Sequence, residues 1–437
     1  MADLKQIART IFRETLAAIN ISAVMQRKLR CEGTLFRCED VAVDLRTFSK
    51  IYVIAVGKAA HAMVEGLLSV LPAGLTVEGI VAAPTPPSSR VSGLRYFIAG
   101  HPLPNAASWE AAENALELLK DSDEKTLAFF LLSGGGSALM ERPLDPRATL
   151  EDMQQLYSAL VTCGAPIASI NAVRKHVSAA KGGRLAAAAT AATKITLAAT
   201  DVPVGHESAL GSGPSLPDPT TMADVRNVIE EFSLHEKLPG SVQRWIAEGR
   251  MTETPKEDDP AFANAYFILL LGMDDLFHPA HHAAEARGFR ARCDNSTDDW
   301  PVEHAADFLL AQLENMQREY RGHCVALISD GEVSSPALGK GIGGRNSAFV
   351  LACVEKIAGR RVAVLSAGTD GIDGNSPAAG VVADGETLAR ARTHGLDPKE
   401  AFQGSDAFTF FSRLDDAILT GPTGNNLRDL RILLAEP

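Results

Sequence analysis

The sequence has no paired cysteines, no surplus of basic charge and no long uncharged hydrophobic run. Its 437 residues include six cysteines: Cys31, Cys38, Cys163, Cys293, Cys324 and Cys353. None stands in a CxxC or CxxxxC pair, and the scatter through apolar runs fits reduced thiols in the core of a cytoplasmic protein. Forty-two Lys and Arg face 54 Asp and Glu, for a net charge of −12 and a pI of about 5.4. So acidic a surface argues against nucleic acid or an anionic membrane as partner, though it leaves room for a local basic pocket. The most membrane-like window, Leu185–Thr200, carries Lys194 and falls short of the ~18 clean apolar residues a span requires. Met1–Ala18 reads as a charged amphipathic helix, without the basic start and apolar centre of a secretory leader. No repeat of 20–50 residues is visible, and the only biased tract is Ala-rich. With 46% hydrophobic and 22% charged residues the composition is globular, and the length calls for two or three domains at ~100–200 residues each.

What the chain does have is a recurring strand, glycine turn and helix. Ile51–Val56 stops at Gly57, and helical spacing follows over Ala59–Leu71. Leu127–Leu132 runs into Ser133-Gly134-Gly135-Gly136, and Lys194–Ala199 into Thr200-Asp201-Val202-Pro203. Cys324–Ile328 ends at Ser329-Asp330-Gly331, and Arg361–Leu365 at Ser366-Ala367-Gly368-Thr369-Asp370. Continuous apolar strands alternating with helices predict parallel sheets covered on both faces, with ligands beyond the carboxyl ends of the strands. Every glycine-rich or acidic motif falls at such an end, which points to an enzyme. The polar stretch between Leu238 and Pro260 predicts a boundary, giving one α/β domain over 1–245 and a second over 255–437.

Several motifs carry chemistry. Gly57-Lys58 sets a cation at a helix start that is already partly positive, which makes sense if an anion sits there; the alternative is a lysine reaching solvent. Ser133-Gly134-Gly135-Gly136-Ser137 allows backbone amides to approach a phosphate or carboxylate. It is neither a Walker A loop nor a nucleophile elbow, since Leu139 stands where the last glycine of GxSxG belongs. Asn171, Arg174, Lys175, His176, Lys181 and Arg184 form a basic cluster that reads as an anion site or as a solvated helix face. Gly339–Gly344 matches GxGxxG but is displaced from the end of its strand, so it reads as a flexible anion-gripping loop ending in Arg345. Asp370-Gly371-Ile372-Asp373 offers hard oxygen ligands for Mg²⁺, and Asp201, Glu207, Asp330 and Glu332 stand at other strand ends. His278, His281 and His282 have metal-like spacing without completing partners. Gly421–Asn426 reads as a phosphate-binding turn or as the cap of a helix over Leu427–Leu434.

In this order the pieces resemble the class II glycerate kinases, whose C-terminal part is the MOFRL domain. The matching stretches are VGKAA (56–60), GHPLPNAAS (100–108), LLSGGGSAL (131–139), INAVRKHVSAAKGGRLA (170–186), DVP (201–203), SGPSLPDPTT (212–221), GKGIGGRNSA (339–348), GTDGIDGNSPAAG (368–380) and TGPTGNN (420–426). The resemblance implies an N-terminal Rossmann-like domain, a smaller C-terminal α/β domain and an active site in the cleft between them. It implies transfer of phosphate from ATP, with Mg²⁺, to D-glycerate, giving 2-phosphoglycerate. The family's functional residues map to Lys58 and Arg345, expected to come from opposite domains and to neutralise phosphoryl oxygens. Ser133, Gly134, Gly135, Gly136 and Ser137 are expected to hold phosphate or carboxylate, as are Arg174 and Lys175. Asp201, Glu332 and Asp370 are the candidates for Mg²⁺ or for orienting the 2-hydroxyl. The sequence departs from the family at Thr200, Gly205-His206-Glu207, Asp330 and Ser347-Ala348, which touches the metal and nucleotide contacts. Some relatives are labelled hydroxypyruvate reductase, so a nicotinamide-dependent reductase stands as the alternative, with a noncatalytic sugar-acid-binding protein behind it. The expected partners are a small-molecule acid and a nucleotide, and the expected state is a monomer or homodimer.

Overall fold

The computed structural model describes residues 3–203, 205–336, 338–425 and 427–437. The chain divides into two compact units: Ile21–Leu271, and the residues up to Asn20 together with Gly272–Pro437. The expected boundary at 245–255 therefore shifts. Residues beyond 255 supply the first unit with its last strand, and the N-terminal helix belongs to the second unit.

In the first unit, short strands β1 (Leu29–Glu32), β2 (Leu35–Cys38) and β3 (Val41–Asp44) form an antiparallel meander. The main sheet is built from β4 (Lys50–Val56), β5 (Glu78–Ala83), β6 (Leu94–Ile98), β7 (Thr126–Ser133), β8 (Thr193–Ala199) and β9 (Ala265–Leu271). Its order is β6-β5-β4-β7-β8-β9, and every pairing is parallel. Numbered from β4, that is 3-2-1-4-5-6, the doubly wound order of dinucleotide-binding folds. β7 is buried along its whole length, as a central strand covered on both faces must be. Tyr52, Ile54, Val56, Phe130 and Leu132 form one core with the helix Ala106–Lys120. The strand order reverses between β4 and β7, so the crevice for a ligand opens where these two strands end.

The second unit holds β10 (Arg290–Asp294), β11 (Val325–Asp330), β12 (Val362–Gly368), β13 (Gly380–Asp384), β14 (Ala417–Ile418) and β15 (Asp429–Ala435). The order is β10-β11-β15-β12-β13-β14. Only β10 and β11 pair in parallel; β15 runs antiparallel between β11 and β12, and β13 and β14 continue antiparallel. The sheet is therefore mixed rather than parallel as expected, and the run from Asp429 to Ala435 is a central strand rather than a helix. Alternate residues Val325, Leu327, Val362, Val364 and Leu433 pack with the helices Val302–Glu319 and Arg345–Val354. The helix Leu4–Ala18, capped by the Asp3 carboxylate on the Gln6 amide, buries Leu4, Ala8, Ile11 and Phe12. It packs against β12, β13 and β15. Among the described residues no helix is long and apolar enough to cross a membrane.

Candidate active site

In the first unit the turns after β4 and β7 clasp each other. The Lys58 amide donates to the Gly134 carbonyl at 2.9 Å, and the Ala59 amide donates to Ser133 Oγ at 3.0 Å. Only glycine fits at 57: its φ is +131°, and a Cβ there would lie 2.1 Å from Ser133 Oγ. The clasp places Lys58 just before the helix Ala60–Val70 and directly against the glycine turn. Gly135 has φ +84° and opens the short turn Gly136–Leu139. A Cβ on it would lie 3.1 Å from the His101 ring and 3.5 Å from Lys58 Cγ, so lysine, histidine and glycine turn surround one point. Among the described residues the amides of Gly134, Gly135 and Gly136 have no hydrogen-bond acceptor. Burial, then the nearby Lys58 charge, holds the His101 pKa below its ordinary value, which keeps the imidazole neutral at pH 7. His101 follows β6 in the stretch GHPLPNAAS, but sequence reasoning gave it no role, because only the fold carries it to Gly135.

Ser137 lies on a buried polar network. Its hydroxyl pairs with Ser212 Oγ at 2.7 Å, and Ser212 Oγ donates to Asn171 Oδ1 at 3.2 Å. Its carbonyl accepts from the Tyr157 hydroxyl at 2.8 Å, which also reaches Glu141 at 2.5 Å. Burial first, then the Glu141 charge, raises the Tyr157 pKa well above its usual value, so the phenol stays a donor.

The structure breaks up the basic cluster predicted over residues 171–184. The helix Ile167–Val177 ends before Lys181, so the residues do not share one helical face. Lys175 is buried and donates to Asp218 at 3.0 Å and to Ser208 Oγ at 3.2 Å. Lys181 is buried against Glu141 at 2.5 Å, and Arg184 donates to backbone carbonyls of Thr252 and Glu253. Arg174 differs: its guanidinium lies 4.4 Å from the Tyr157 ring centre, and its buried Nε has no partner among the described residues. Lys175 thus serves an internal ion pair, whereas the Arg174 guanidinium is left with a buried N–H to donate. Asp201 follows the end of β8, as the sequence implied.

In the second unit Arg345 opens the helix Arg345–Val354 and sits between two carboxylates. Its Nε donates to Asp429 Oδ2 at 2.5 Å, and its Nη1 donates to Glu332 Oε2 at 2.6 Å. Burial opposes its charge, but Asp429 and Glu332 outweigh burial and hold its pKa above the ordinary arginine value. Asp298 accepts the Glu332 amide at 2.7 Å and also the Arg428 guanidinium, which fixes the Asp330-Gly331-Glu332 turn. Asp370 and Asp429 flank the end of β12: a Cβ on Gly368 would lie 3.1 Å from one carboxylate and 3.3 Å from the other. Asp429 was given no role because the run that contains it reads as a helix after the Gly421–Asn426 turn; β15 brings it to Arg345.

Other motifs take structural parts. Asp373 accepts the amides of Asn346 and Ser347 at 2.9 Å, capping the Arg345 helix rather than facing a metal. Gly339–Gly344 is no open anion loop. Its Gly339 and Gly341 amides go to Ser405 Oγ and Gly404 O, and those of Ile342 and Gly343 to Asp406 and Asn375. Thr423 donates to the backbone of Thr369 and Asp370, tying Gly421–Asn425 to β12; Asn426 lies outside the described residues. His278, His281 and His282 lie on the helix Asp274–Glu285, and the described residues include no group of three His, Cys, Asp or Glu placed to hold a metal ion.

Together these features define a two-unit α/β enzyme with a lysine and a glycine turn clasped at the switch point of a doubly wound sheet. Residues 7–247 match the family model described as "Domain of unknown function (DUF4147)", and residues 325–429 match the MOFRL family. A D-glycerate 2-kinase of Thermotoga maritima is 33% identical over 88% of this chain and 90% of its own. The solved glycerate kinase structure from Thermotoga maritima superposes with a TM-score of 0.85 at 31% identity, covering 99% of each chain. A putative hydroxypyruvate reductase of Agrobacterium vitis is 35% identical over 87% of this chain and 98% of its own. The chain belongs to the MOFRL family of class II glycerate kinases.

Proposed function

We propose that the protein transfers the terminal phosphoryl group of ATP to the 2-hydroxyl of D-glycerate. The observation that carries this reading is the clasp at the switch point, where Lys58 lies against glycine amides that have no acceptor among the described residues. Phosphoryl transfer needs alignment and positive charge more than covalent help. The turn from Ser133 to Ser137 holds phosphate or carboxylate through its amides, and Lys58 adds the point charge. Arg174 is suited to an anionic oxygen through its unpaired Nε. Arg345, kept cationic by its acidic neighbours, exchanges one carboxylate for phosphoryl oxygens as charge builds up on them. His101, neutral at pH 7, stands where it can accept the hydroxyl proton.

The donor set fits Mg²⁺, which binds through one or two carboxylates and takes its other ligands from water and phosphate. Asp370 and Asp429, which both approach Gly368 at the end of β12, would hold it. The ion would neutralise charge on the nucleotide's phosphates. Asp201 remains a candidate for orienting the hydroxyl.

The reductase alternative is disfavoured by the first β-turn-helix of the doubly wound sheet, which carries Gly57-Lys58 in place of GxGxxG. The test is ADP release with D-glycerate, with and without Mg²⁺, and phosphorus NMR of the product. A 2-phosphoglycerate signal supports the reading, and a 3-phosphoglycerate signal keeps the kinase but reverses the regiochemistry. NADH oxidation by hydroxypyruvate without ADP release overturns it.

A further inference from the structure

The second unit contains a pocket next to Arg345 that the site above does not use. Its walls are about half apolar, with Ala348, Leu351, Phe402 and Ala407, and half polar, with Ser335, Ser405 and Arg345. Arg345, Ala348 and Leu351 follow one another at intervals of three on the helix Arg345–Val354, so one face of that helix carries the guanidinium at its start and an apolar floor beyond it. The opposite wall is fastened to the helix entry: the Gly341 amide donates to Gly404 O at 3.0 Å, and the Phe408 amide donates to Ile342 O at 2.9 Å. The pocket is thus held open by the fold. Ser405 Oγ accepts the amides of Leu338 and Gly339 at 2.9 and 3.1 Å, which leaves its own proton to donate.

We propose that this pocket receives the base of the nucleotide, with the phosphates leading past Arg345; the assignment rests on the kinase reading. A three-carbon hydroxy acid is polar at every carbon and gains nothing from the apolar half of this lining. A nucleotide has one flat, weakly polar part and one highly charged part, in the order that Phe402, the alanines and Arg345 present. Small residues along the walls admit a planar ring, Phe402 offers a face to stack on, and the Ser405 hydroxyl offers a donor to a ring nitrogen.

The test uses the full chain with MgADP as the probe in calorimetry, alongside steady-state ADP release with D-glycerate. Ala348→Phe fills the pocket from a half-buried position, and Phe402→Ala removes the stacking face; thermal unfolding checks both for folding. In a folded variant the dissociation constant for MgADP and the KM for ATP should rise at least tenfold, with the KM for glycerate within twofold of wild type. Phe402→Tyr should restore most of the affinity. In the wild type, MgADP should also slow hydrogen exchange over residues 401–407, which needs no variant. Unchanged MgADP affinity in the folded variants, with no protection at 401–407, overturns the base assignment while wild-type turnover leaves the kinase standing. Wild-type protein that binds MgADP in this pocket but does not phosphorylate glycerate retains the pocket and overturns the substrate. Failure of the wild type to bind MgADP at all overturns both.

Discussion

Asp429 takes hold of Arg345 along the edge of its guanidinium, accepting Nε at 2.5 Å and Nη2 at 3.4 Å, while Glu332 engages Nη1 and Nη2, each at 2.6 Å. The two carboxylates fix the orientation of a side chain that would otherwise sample many rotamers. Arg345→Ala should lower kcat by ~10³-fold or more, the scale on which removal of a transition-state cation acts. Arg345→Lys should recover little, since a point charge cannot span both carboxylates. Asp429→Asn should fall between the two, and ADP release with D-glycerate measures all three. Near-normal kcat in Arg345→Ala would refute the role.

Lys58 and His101 give a second prediction, readable by rate and by titration. Lys58→Ala should also cost ~10³-fold in kcat. Burial and the Lys58 charge together depress the His101 pKa, so removing the charge should move its NMR midpoint upward toward the ordinary histidine value. The sign for stability follows from linkage. A depressed folded pKa means that the unfolded chain binds the proton more readily, so His101 costs stability as pH falls below its unfolded pKa of about 6.5. In Lys58→Ala that loss should shrink. A midpoint that stays in place would separate the two side chains.

Much of the first unit was legible in the sequence because each of its strands ends in a conspicuous turn. Ile51–Val56 before Gly57 and Leu127–Leu132 before three glycines give both strand and site. The second unit was harder to read. Residues Asp429–Ala435 are buried on both faces of the sheet, and such a run reads alike whichever way the strand points. The polar stretch before Pro260 resembled a linker, although β9 beyond it pairs with β8 and completes the first sheet. Charge was visible where pairing was not: Lys175 meets Asp218, 43 residues away, and Lys181 meets Glu141, 40 residues away. Lys58 and the glycine turn announced themselves through local chemistry. His101 and Asp429 did not, because their partners come from distant elements of the chain.

Gly57 and Gly135 should respond differently to a single methyl group. Gly135→Ala puts a side chain at φ +84°, 3.1 Å from the His101 ring, at a cost of ~1–2 kcal/mol with the fold retained. The methyl group would intrude on the proposed anion position, so calorimetry with inorganic phosphate should show at least tenfold weaker binding. Gly57→Ala sets its Cβ 2.1 Å from Ser133 Oγ and 2.5 Å from the Ser133 carbonyl oxygen. That clash is with backbone, so urea denaturation should show a loss beyond ~4 kcal/mol. Equal stabilities for the two variants would mean that the clasp is loose.

Asp330 supplies a pH-dependent prediction. Its carboxylate is fully buried and neither oxygen has a hydrogen-bond partner among the described residues. Burial pushes its pKa up to about 6, against the opposing charges of Arg428 and Arg431 and with reinforcement from Asp298 and Asp274. A raised carboxylate pKa means that the folded chain binds the proton more tightly than the unfolded chain. Stability is therefore lost as pH rises from about 3.8 to about 6, and the full penalty, about 2–3 kcal/mol, is present at pH 7 and above. Asp330→Asn mimics the neutral acid without the penalty. It should stabilise the protein at pH 8 and approach wild type near pH 4.5, as followed by urea denaturation at the two pH values. If the substitution destabilises equally at both, the ionised carboxylate is what Arg428 and Arg431 require, and burial does not control its charge.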